Sequence, residues 1–317
     1  GTVMVKVINP TATHNGNSYP QLLTNVGGTL FFMAEDGINN SQLWKSDGTE
    51  AGTVMVKEIN TTGNTSANEF TNVNGTLFFR AHDGTDSELW KSDGTEAGTV
   101  MVKNINPIGS SNPGHFANVN GTLFFRATDG NSGDYEVWKS DGTASGTIML
   151  KNINTSGDSS PLYLTNVNGT LFFGADSGTT GRELWKSDGT EAGTVMVKDI
   201  NPTATTGSSM RALSNINGTL FFSANDGTNG TELWKSDGTD AGTMMVKDIS
   251  DGISSSWPEV RTYDNQERPL ILPDGRLLFG ADDGINGTEL WITDGTAVGT
   301  ALLIDLNPGS ASGMYTD

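Results

Sequence analysis

One stretch recurs through the chain and constrains its fold more than any other feature. In its clearest copy it reads Glu-Leu-Trp-Lys-Ser-Asp-Gly-Thr-Glu-Ala-Gly-Thr-Val-Met-Val-Lys, from Glu183 to Lys198. Its tryptophan recurs at Trp44, Trp90, Trp138, Trp185, Trp234 and Trp291. Repeats of roughly 45 to 60 residues are typical of propellers and other repeat arrays, in which each copy is one structural unit.

Each repeat contains the pattern of four short strands separated by turns. In the second repeat the predicted strands are Glu69–Val73, Thr76–Ala81, Ser87–Lys91 and Thr99–Lys103. Asn74-Gly75 lies between the first two strands, and this dipeptide is typical of a type I′ hairpin turn. Asp-Gly pairs follow the second and third strands. No segment shows a sustained helical period, so each repeat is predicted to be an antiparallel meander.

The sequence therefore predicts an all-β fold, a β-propeller of four-stranded antiparallel blades. Six blades are expected, and seven or more if the chain belongs to a larger ring or assembly. The fourth-strand motif has an additional copy at the N-terminus, so residues 1–8 are predicted to be an extra outer strand. The predicted single domain spans 1–317, with repeats at 9–59, 60–105, 106–153, 154–200, 201–249 and 250–306, and a tail at 307–317.

Charge and composition exclude several classes of function. The formal net charge is −19, with 18 Lys and Arg against 37 Asp and Glu. Nucleic acids and anionic membrane surfaces need a basic footprint, so neither is an expected partner. The chain has no cysteine and no apolar run long enough to insert into a membrane. It also lacks the common nucleophile, phosphate-loop and zinc-protease motifs, so the sequence predicts a protein that is not an enzyme.

The repeated motif resembles the ELWxxDGT-repeat family of bacterial, largely secreted proteins. The resemblance covers nearly the whole chain and implies an extracellular or cell-surface, propeller-like module. It offers no catalytic residue to carry over. The chain departs from the pattern at Gln42, where the motif has Glu, at Val137, where it has Leu, and at Ile292-Thr293, where it has Lys-Ser.

Two kinds of binding residue are candidates. The repeated tryptophans are predicted to be structural, filling the space between blades. Trp257 lies outside the pattern in the lengthened entry loop of the last repeat, and with Arg261 and Tyr263 it is a candidate ligand-binding residue. Acidic residues near the second hairpin of each repeat could bind Ca²⁺, which prefers oxygen ligands, although structural turns explain them as well. The candidate metal ligands are Asp36, Asp83, Glu88, Asp129, Glu136, Asp226, Glu232, Asp283 and Glu289.

From these features we predict a non-enzymatic extracellular binding module that recognises carbohydrate or a surface polymer through several similar blade loops. The alternative is a structural subunit of a surface layer, filament or adhesive matrix, assembled through edge strands. Calcium is the one cofactor that the repeated acidic residues suggest. The repeated Glu and the fourth-strand Lys lie on adjacent strands, and cross-strand ion pairs between them are also expected.

Overall fold

A computed structural model describes residues 1–11, 13–131, 134–203, 205, 207–260 and 270–314. In these residues one short 3₁₀ helix, Thr13–Gly16, precedes 24 β-strands. No helix in the described ranges has the length and apolar character needed to cross a membrane. The predicted all-β class is confirmed.

The strands form six four-stranded antiparallel sheets, each made of four consecutive strands in chain order. Blade 1 contains β1 (Gln21–Val26), β2 (Thr29–Glu35), β3 (Ser41–Ser46) and β4 (Val54–Lys57). Blade 2 contains β5 (Asn68–Val73), β6 (Thr76–His82), β7 (Ser87–Ser92) and β8 (Val100–Lys103). Blade 3 contains β9 (Gly114–Val119), β10 (Thr122–Ala127), β11 (Glu136–Ser140) and β12 (Ile148–Lys151).

Blade 4 contains β13 (Leu162–Val167), β14 (Thr170–Asp176), β15 (Arg182–Ser187) and β16 (Val195–Lys198). Blade 5 contains β17 (Arg211–Ile216), β18 (Thr219–Asn225), β19 (Thr231–Ser236) and β20 (Met244–Lys247). Blade 6 contains β21 (Leu270–Ile271), β22 (Leu277–Asp282), β23 (Thr288–Thr293) and β24 (Ala301–Ile304). These sheets are the blades of the predicted six-bladed β-propeller. The chain divides into two compact units, Gly1–Met149 and Leu150–Asp317.

In blades 2 to 5 the first hairpin follows from an Asn-Gly turn, whereas blade 1 has Gly27-Gly28 and blade 6 has Asp274-Gly275 at this place. In blade 2, Asn74 and Gly75 have φ angles of 51° and 83°, as a type I′ turn requires of both central residues. The Asn72 side chain accepts a hydrogen bond from the N–H of Gly75 (3.0 Å). Asn118 of blade 3 donates its side-chain N–H to the carbonyl of Asn72 (2.9 Å). The Asn-rich hairpins therefore close the turn and also connect neighbouring blades.

The repeated tryptophans pack between neighbouring blades. Trp90 of blade 2 belongs to one buried cluster with Phe31 and Leu43 of blade 1. Trp234 of blade 5 packs in the same way with Phe172 of blade 4. All six tryptophans of the motif are buried. This packing is what a structural role requires, and the structural assignment of all six stays a prediction.

The Ser-Asp-Gly-Thr-x-x-Gly-Thr half of the motif closes its own turn. In blade 2, Asp93 Oδ1 accepts hydrogen bonds from the N–H (2.8 Å) and the hydroxyl (2.7 Å) of Thr95. The Thr95 hydroxyl oxygen accepts the N–H of Gly98 (2.9 Å). A side chain at position 98 would overlap the Asp93 carboxylate. The Ser92 and Thr99 hydroxyls, 2.7 Å apart, complete the turn, so these repeated residues are accounted for by local structure.

The two lysines of the motif link blade 2 to blade 3. Lys91 Nζ donates to the carbonyl of Gly142 (2.8 Å), and Lys103 Nζ donates to the carbonyl of Thr147 (2.8 Å). The expected ion pair between Glu88 and Lys103 is therefore wrong, and the strand register gives the physical reason. Lys103 lies directly opposite Leu89 in the ladder, and successive strand residues point to opposite faces, so Glu88 and Lys103 face away from each other.

The terminal segments depart from this scheme. Residues 1–8 form no strand in this structure, and no described strand pairs with them. The predicted extra outer strand is therefore wrong. A strand needs a neighbouring strand for its backbone hydrogen bonds. This segment has none among the described strands, and Val3 is 81% exposed. Lys6 Nζ nevertheless donates to the carbonyl of Thr53 (2.8 Å), as the linking lysines do. In blade 6 isoleucines, Ile292 and Ile304, occupy both lysine positions.

Candidate functional site

The repeated glutamate is a buried structural acceptor. Glu88 is fully buried at the start of β7. Its Oε2 accepts the N–H of Ile105 (3.0 Å) and the hydroxyl of Ser111 (2.6 Å), and its Oε1 accepts the N–H of Ser111 (2.9 Å). Burial raises the pKa of Glu88 above its usual value, although these hydrogen bonds act in the opposite direction. The side chain holds the connection that leads to the next blade.

The aspartates of the second hairpin cap their own turns. Asp83 Oδ1 accepts hydrogen bonds from the N–H (2.9 Å) and the hydroxyl (2.6 Å) of Thr85. Burial alone would raise the pKa of Asp83, but these hydrogen bonds outweigh it and hold the pKa below its usual value. Asp36 caps the N–H groups of Ile38 and Asn39 in the same way. Across the described ranges, no group of three or more His, Asp or Glu side chains could hold a metal ion. Calcium at the candidate ligands stays a prediction.

Blade 1 has an amide where the other blades have the buried glutamate. Gln42 Oε1 accepts the N–H of Ile59 (3.0 Å), as Glu88 does for Ile105. Its Nε2 donates to three backbone carbonyls, those of Asn39 (2.9 Å), Asn60 (2.9 Å) and Gly63 (3.2 Å). The end of this side chain therefore lies among converging carbonyl oxygens, which favour a hydrogen-bond donor or a cation.

The candidate ligand residue Trp257 lies at the edge of a cleft in the second unit. Its side chain is 56% exposed, and its backbone N–H donates to the carbonyl of Thr231 (3.3 Å). The cleft has a volume of about 190 Å³, and its lining includes Tyr163, Arg211, Pro258 and Glu259. The other two candidates, Arg261 and Tyr263, lie outside the described residues. The sequence missed Tyr163, Arg211 and Glu259, because they come from three different repeats.

Trp257 occupies a backbone position that recurs in every blade. In the connection that leads to its first strand, each blade has a non-glycine residue with a left-handed backbone, at Tyr19, Ser66, Asn112, Ser160, Ser209 and Trp257. Three residues later, the first five blades have a second such residue, at Leu22, Glu69, His115, Tyr163 and Ala212. Strained positions of this kind are enriched at binding and active sites. The residue types differ from blade to blade, so no sequence motif reveals them.

Comparisons with known proteins bear on the fold and on the predicted function. No family model and no curated protein sequence matches the chain. A structure from a study of two prolyl endopeptidases matches with a TM-score of 0.51 at 13% identity, covering 90% of this chain and 43% of that one. A puromycin hydrolase mutant matches at 0.49 and 13%, covering 93% and 48%. A Mycobacterium tuberculosis puromycin-hydrolyzing peptidase matches at 0.49 and 13%, covering 87% and 44%.

These findings correct the functional prediction. The predicted non-enzymatic module for carbohydrate or a surface polymer, and its alternative as a structural subunit, are contradicted, because the structure matched with a TM-score of 0.51 comes from a study of prolyl endopeptidases. The chain spans less than half the length of each of the three similar structures. The match reaches only their propeller, and at this identity it shows the fold alone. Membership of the ELWxxDGT-repeat family, an extracellular location and bound calcium stay predictions.

Proposed function

We propose that this chain is a non-catalytic, peptidase-related propeller domain that binds a segment of polypeptide in the Trp257 cleft. The observation that supports this proposal is the cleft itself, which is lined by an exposed aromatic ring, a cationic side chain and an anionic side chain. The similarity to prolyl endopeptidases supports a polypeptide as the ligand class. The coverage of 43% of that chain supports a division of labour in which catalytic groups belong to another domain.

The chemistry of the cleft suits a peptide. Trp257 and Pro258 offer apolar surface for a side chain, while Arg211 and Glu259 offer opposite charges for the termini or for charged side chains. Arg211 begins β17, which is an edge strand because it pairs only with β18. An extended peptide can hydrogen-bond to such an edge, and this mode of recognition is common in peptide-binding domains.

A binding measurement with matched variants tests this proposal. Fluorescently labelled short peptides with free and with capped termini would be titrated with the chain and followed by anisotropy. Peptide binding is expected for the native chain, and Trp257→Ala should weaken it by at least about tenfold, since aromatic residues dominate such sites. Tyr19→Ala is the matched control, because Tyr19 has the equivalent backbone position in blade 1 and is also exposed.

Two results would contradict the proposal. One is the absence of binding for every peptide in the panel. The other is an equal loss in Trp257→Ala and Tyr19→Ala, which would mean that the peptides associate with the surface without using the cleft. Arg211→Ala and Glu259→Ala then separate the two charges, since each should weaken only those peptides that carry the opposite free charge.

A further inference from the structure

A pair of carboxylates faces each other inside blade 4. Leu184 of β15 lies opposite Lys198 of β16, and this register places Glu183 beside Asp199 on the adjoining strand ends. Glu183 is 0% exposed. Its Oε2 accepts the N–H of Ile200 (3.0 Å). Its Oε1 and the Oδ1 of Asp199 are both buried and have no hydrogen-bond partner within the described part of the chain. Like charges placed opposite each other destabilise a sheet unless something compensates them.

The same two positions carry different pairs of residues in the six blades. The equivalent pairs, in chain order, are Gln42 and Glu58, Glu88 and Asn104, Glu136 and Asn152, Glu183 and Asp199, Glu232 and Asp248, and Glu289 and Asp305. Both positions therefore carry carboxylates in blades 4, 5 and 6. Among the described residues, the Oδ1 atoms of Asp248 and Asp305 are buried without a partner, as that of Asp199 is. In blade 5, both Glu232 oxygens accept backbone N–H groups, from Ile249 and Ser256 (both 3.0 Å).

The donor to this glutamate oxygen differs between blades. In blade 2, Oε1 of the glutamate accepts the N–H of Ser111 (2.9 Å). In blade 5, the N–H of Ser256 donates both to the carbonyl of Thr231 (3.1 Å) and to Glu232 Oε1 (3.0 Å). The corresponding N–H in blade 4, that of Ser208, donates to the carbonyl of Arg182 (3.1 Å), and Glu183 Oε1 has no partner among the described residues.

Blade 1 shows what surrounds this atom. The Nε2 of Gln42 occupies the equivalent end of the side chain and donates to three backbone carbonyls. Two of these carbonyls belong to Asn39 and Asn60, and the residues at the same spacing from Glu183 are Thr180 and Asn201. Blade 4 thus has an acceptor without a partner where blade 1 has a donor. Such a place needs a positive charge or a proton.

We propose that Glu183 Oε1 and Asp199 Oδ1 bind a calcium ion, with backbone carbonyls of the surrounding loops as further ligands. Ca²⁺ takes six to eight oxygen ligands and accepts carboxylate and carbonyl oxygens in irregular arrangements. The proposal does not depend on the peptide cleft, whose lining includes neither residue.

A proton is the competing occupant. Burial raises the pKa of Glu183 to about 7. The hydrogen bond from the N–H of Ile200 lowers this pKa, and the nearby Asp199 carboxylate raises it further. A protonated Glu183 would donate to a carbonyl, as Gln42 does in blade 1. The two occupants differ in their response to calcium, so a calcium titration distinguishes them.

Calorimetric titration of the chelator-treated full chain with Ca²⁺ is the test. We compare the native chain with Glu183→Gln, Asp199→Asn and the control Glu50→Gln, which changes an exposed acid elsewhere. The native chain and the control should bind Ca²⁺ alike, while each site variant should lose this binding event or weaken it by more than about tenfold. Gln42 shows that the fold accommodates the amide of Glu183→Gln.

The proposal is overturned if the isotherm of Glu183→Gln is the same as that of the native chain. It is also overturned if the native chain takes up no Ca²⁺ and Glu183→Gln simply melts at a higher temperature in chelator. That second result would assign the proton, and not a metal ion, to the pair.

Discussion

Blades 1 and 4 have the same order of four strands and both linking lysines, and they differ at the buried position of the repeated glutamate. Gln42 in blade 1 satisfies the surrounding carbonyls through its amide. Glu183 in blade 4 has a buried oxygen without a partner and a carboxylate neighbour in Asp199. The comparison teaches that the repeat tolerates either a neutral or a charged side chain here, provided that the neutral one donates and the charged one is compensated.

The largest effect should come from removing the buried side chain altogether. Glu88→Ala would leave the N–H groups of Ile105 and Ser111 buried without an acceptor, so we expect a loss of roughly 3 kcal/mol or more in the free energy of unfolding. Glu88→Gln keeps one oxygen acceptor, as Gln42 does, and should cost only about 1 kcal/mol. Urea unfolding of both variants measures the difference.

The exposed Glu96→Ala is the control for that series and should leave the unfolding midpoint unchanged. Equal losses in Glu88→Ala and Glu88→Gln would break the comparison, because the amide would then be no substitute for the carboxylate in this environment.

The next effect is a pH dependence of stability. Burial raises the pKa of Glu232 to about 7, from 4.5. Because the folded state binds this proton more tightly, the contribution is fully present below about pH 4.5 and is lost as the pH rises through about 7. After allowance for solvent screening, we expect a loss of about 2 kcal/mol across this window.

Urea midpoints measured in chelator across this pH window test that prediction. Glu232→Gln carries no titrating group and should show a shallower pH dependence than the native chain. An unchanged slope in the variant would contradict the assignment to Glu232. The turn aspartates act in the opposite direction: the Thr95 hydroxyl and N–H lower the pKa of Asp93, so its contribution is lost only as the pH falls below 3.8.

The smallest effect should be the same in the two blades. Lys57 Nζ donates to the carbonyl of Thr99 (2.9 Å) in blade 1, and Lys198 Nζ donates to that of Asp240 (3.2 Å) in blade 4. Each hydrogen bond should contribute about 1 kcal/mol, and the exposed ion pair of Lys198 with the Asp240 side chain should add little. Lys57→Met and Lys198→Met should therefore lower the unfolding free energy equally. A clear difference between their unfolding free energies would mean that part of the difference between blades 1 and 4 arises outside the pair of Glu183 and Asp199.

The sequence predicted most of the fold because its signals are local. Asn74-Gly75 specifies a hairpin within two residues, and the Asp93 turn is complete within the motif itself. The role of the repeated glutamate was predicted wrongly because its hydrogen-bond partners are distant in the sequence. Its partners, such as Ile105 and Ser111, lie 17 and 23 residues further along the chain, whereas sequence reasoning grouped Glu88 with the nearby turn.

The candidate sites show the same limit. Trp257 was identified because it interrupts the repeat, but Tyr163 and Arg211 reach the cleft from other blades through folding. The lack of a partner for the buried oxygen of Glu183 is visible only in the structure, because no residue pattern specifies it. The functional prediction relied on similarity between repeats, and the structural comparisons contradicted it.

Exchanging the two side chains tests the central contrast most directly. Melting temperatures of Glu183→Gln and Gln42→Glu would be compared with the native chain, in chelator and in Ca²⁺. In chelator, Glu183→Gln should melt above the native chain and Gln42→Glu below it, while Ca²⁺ should stabilise the native chain but not Glu183→Gln. A Gln42→Glu variant that melts like the native chain in chelator, or a Glu183→Gln variant that keeps the full calcium response, would contradict this account.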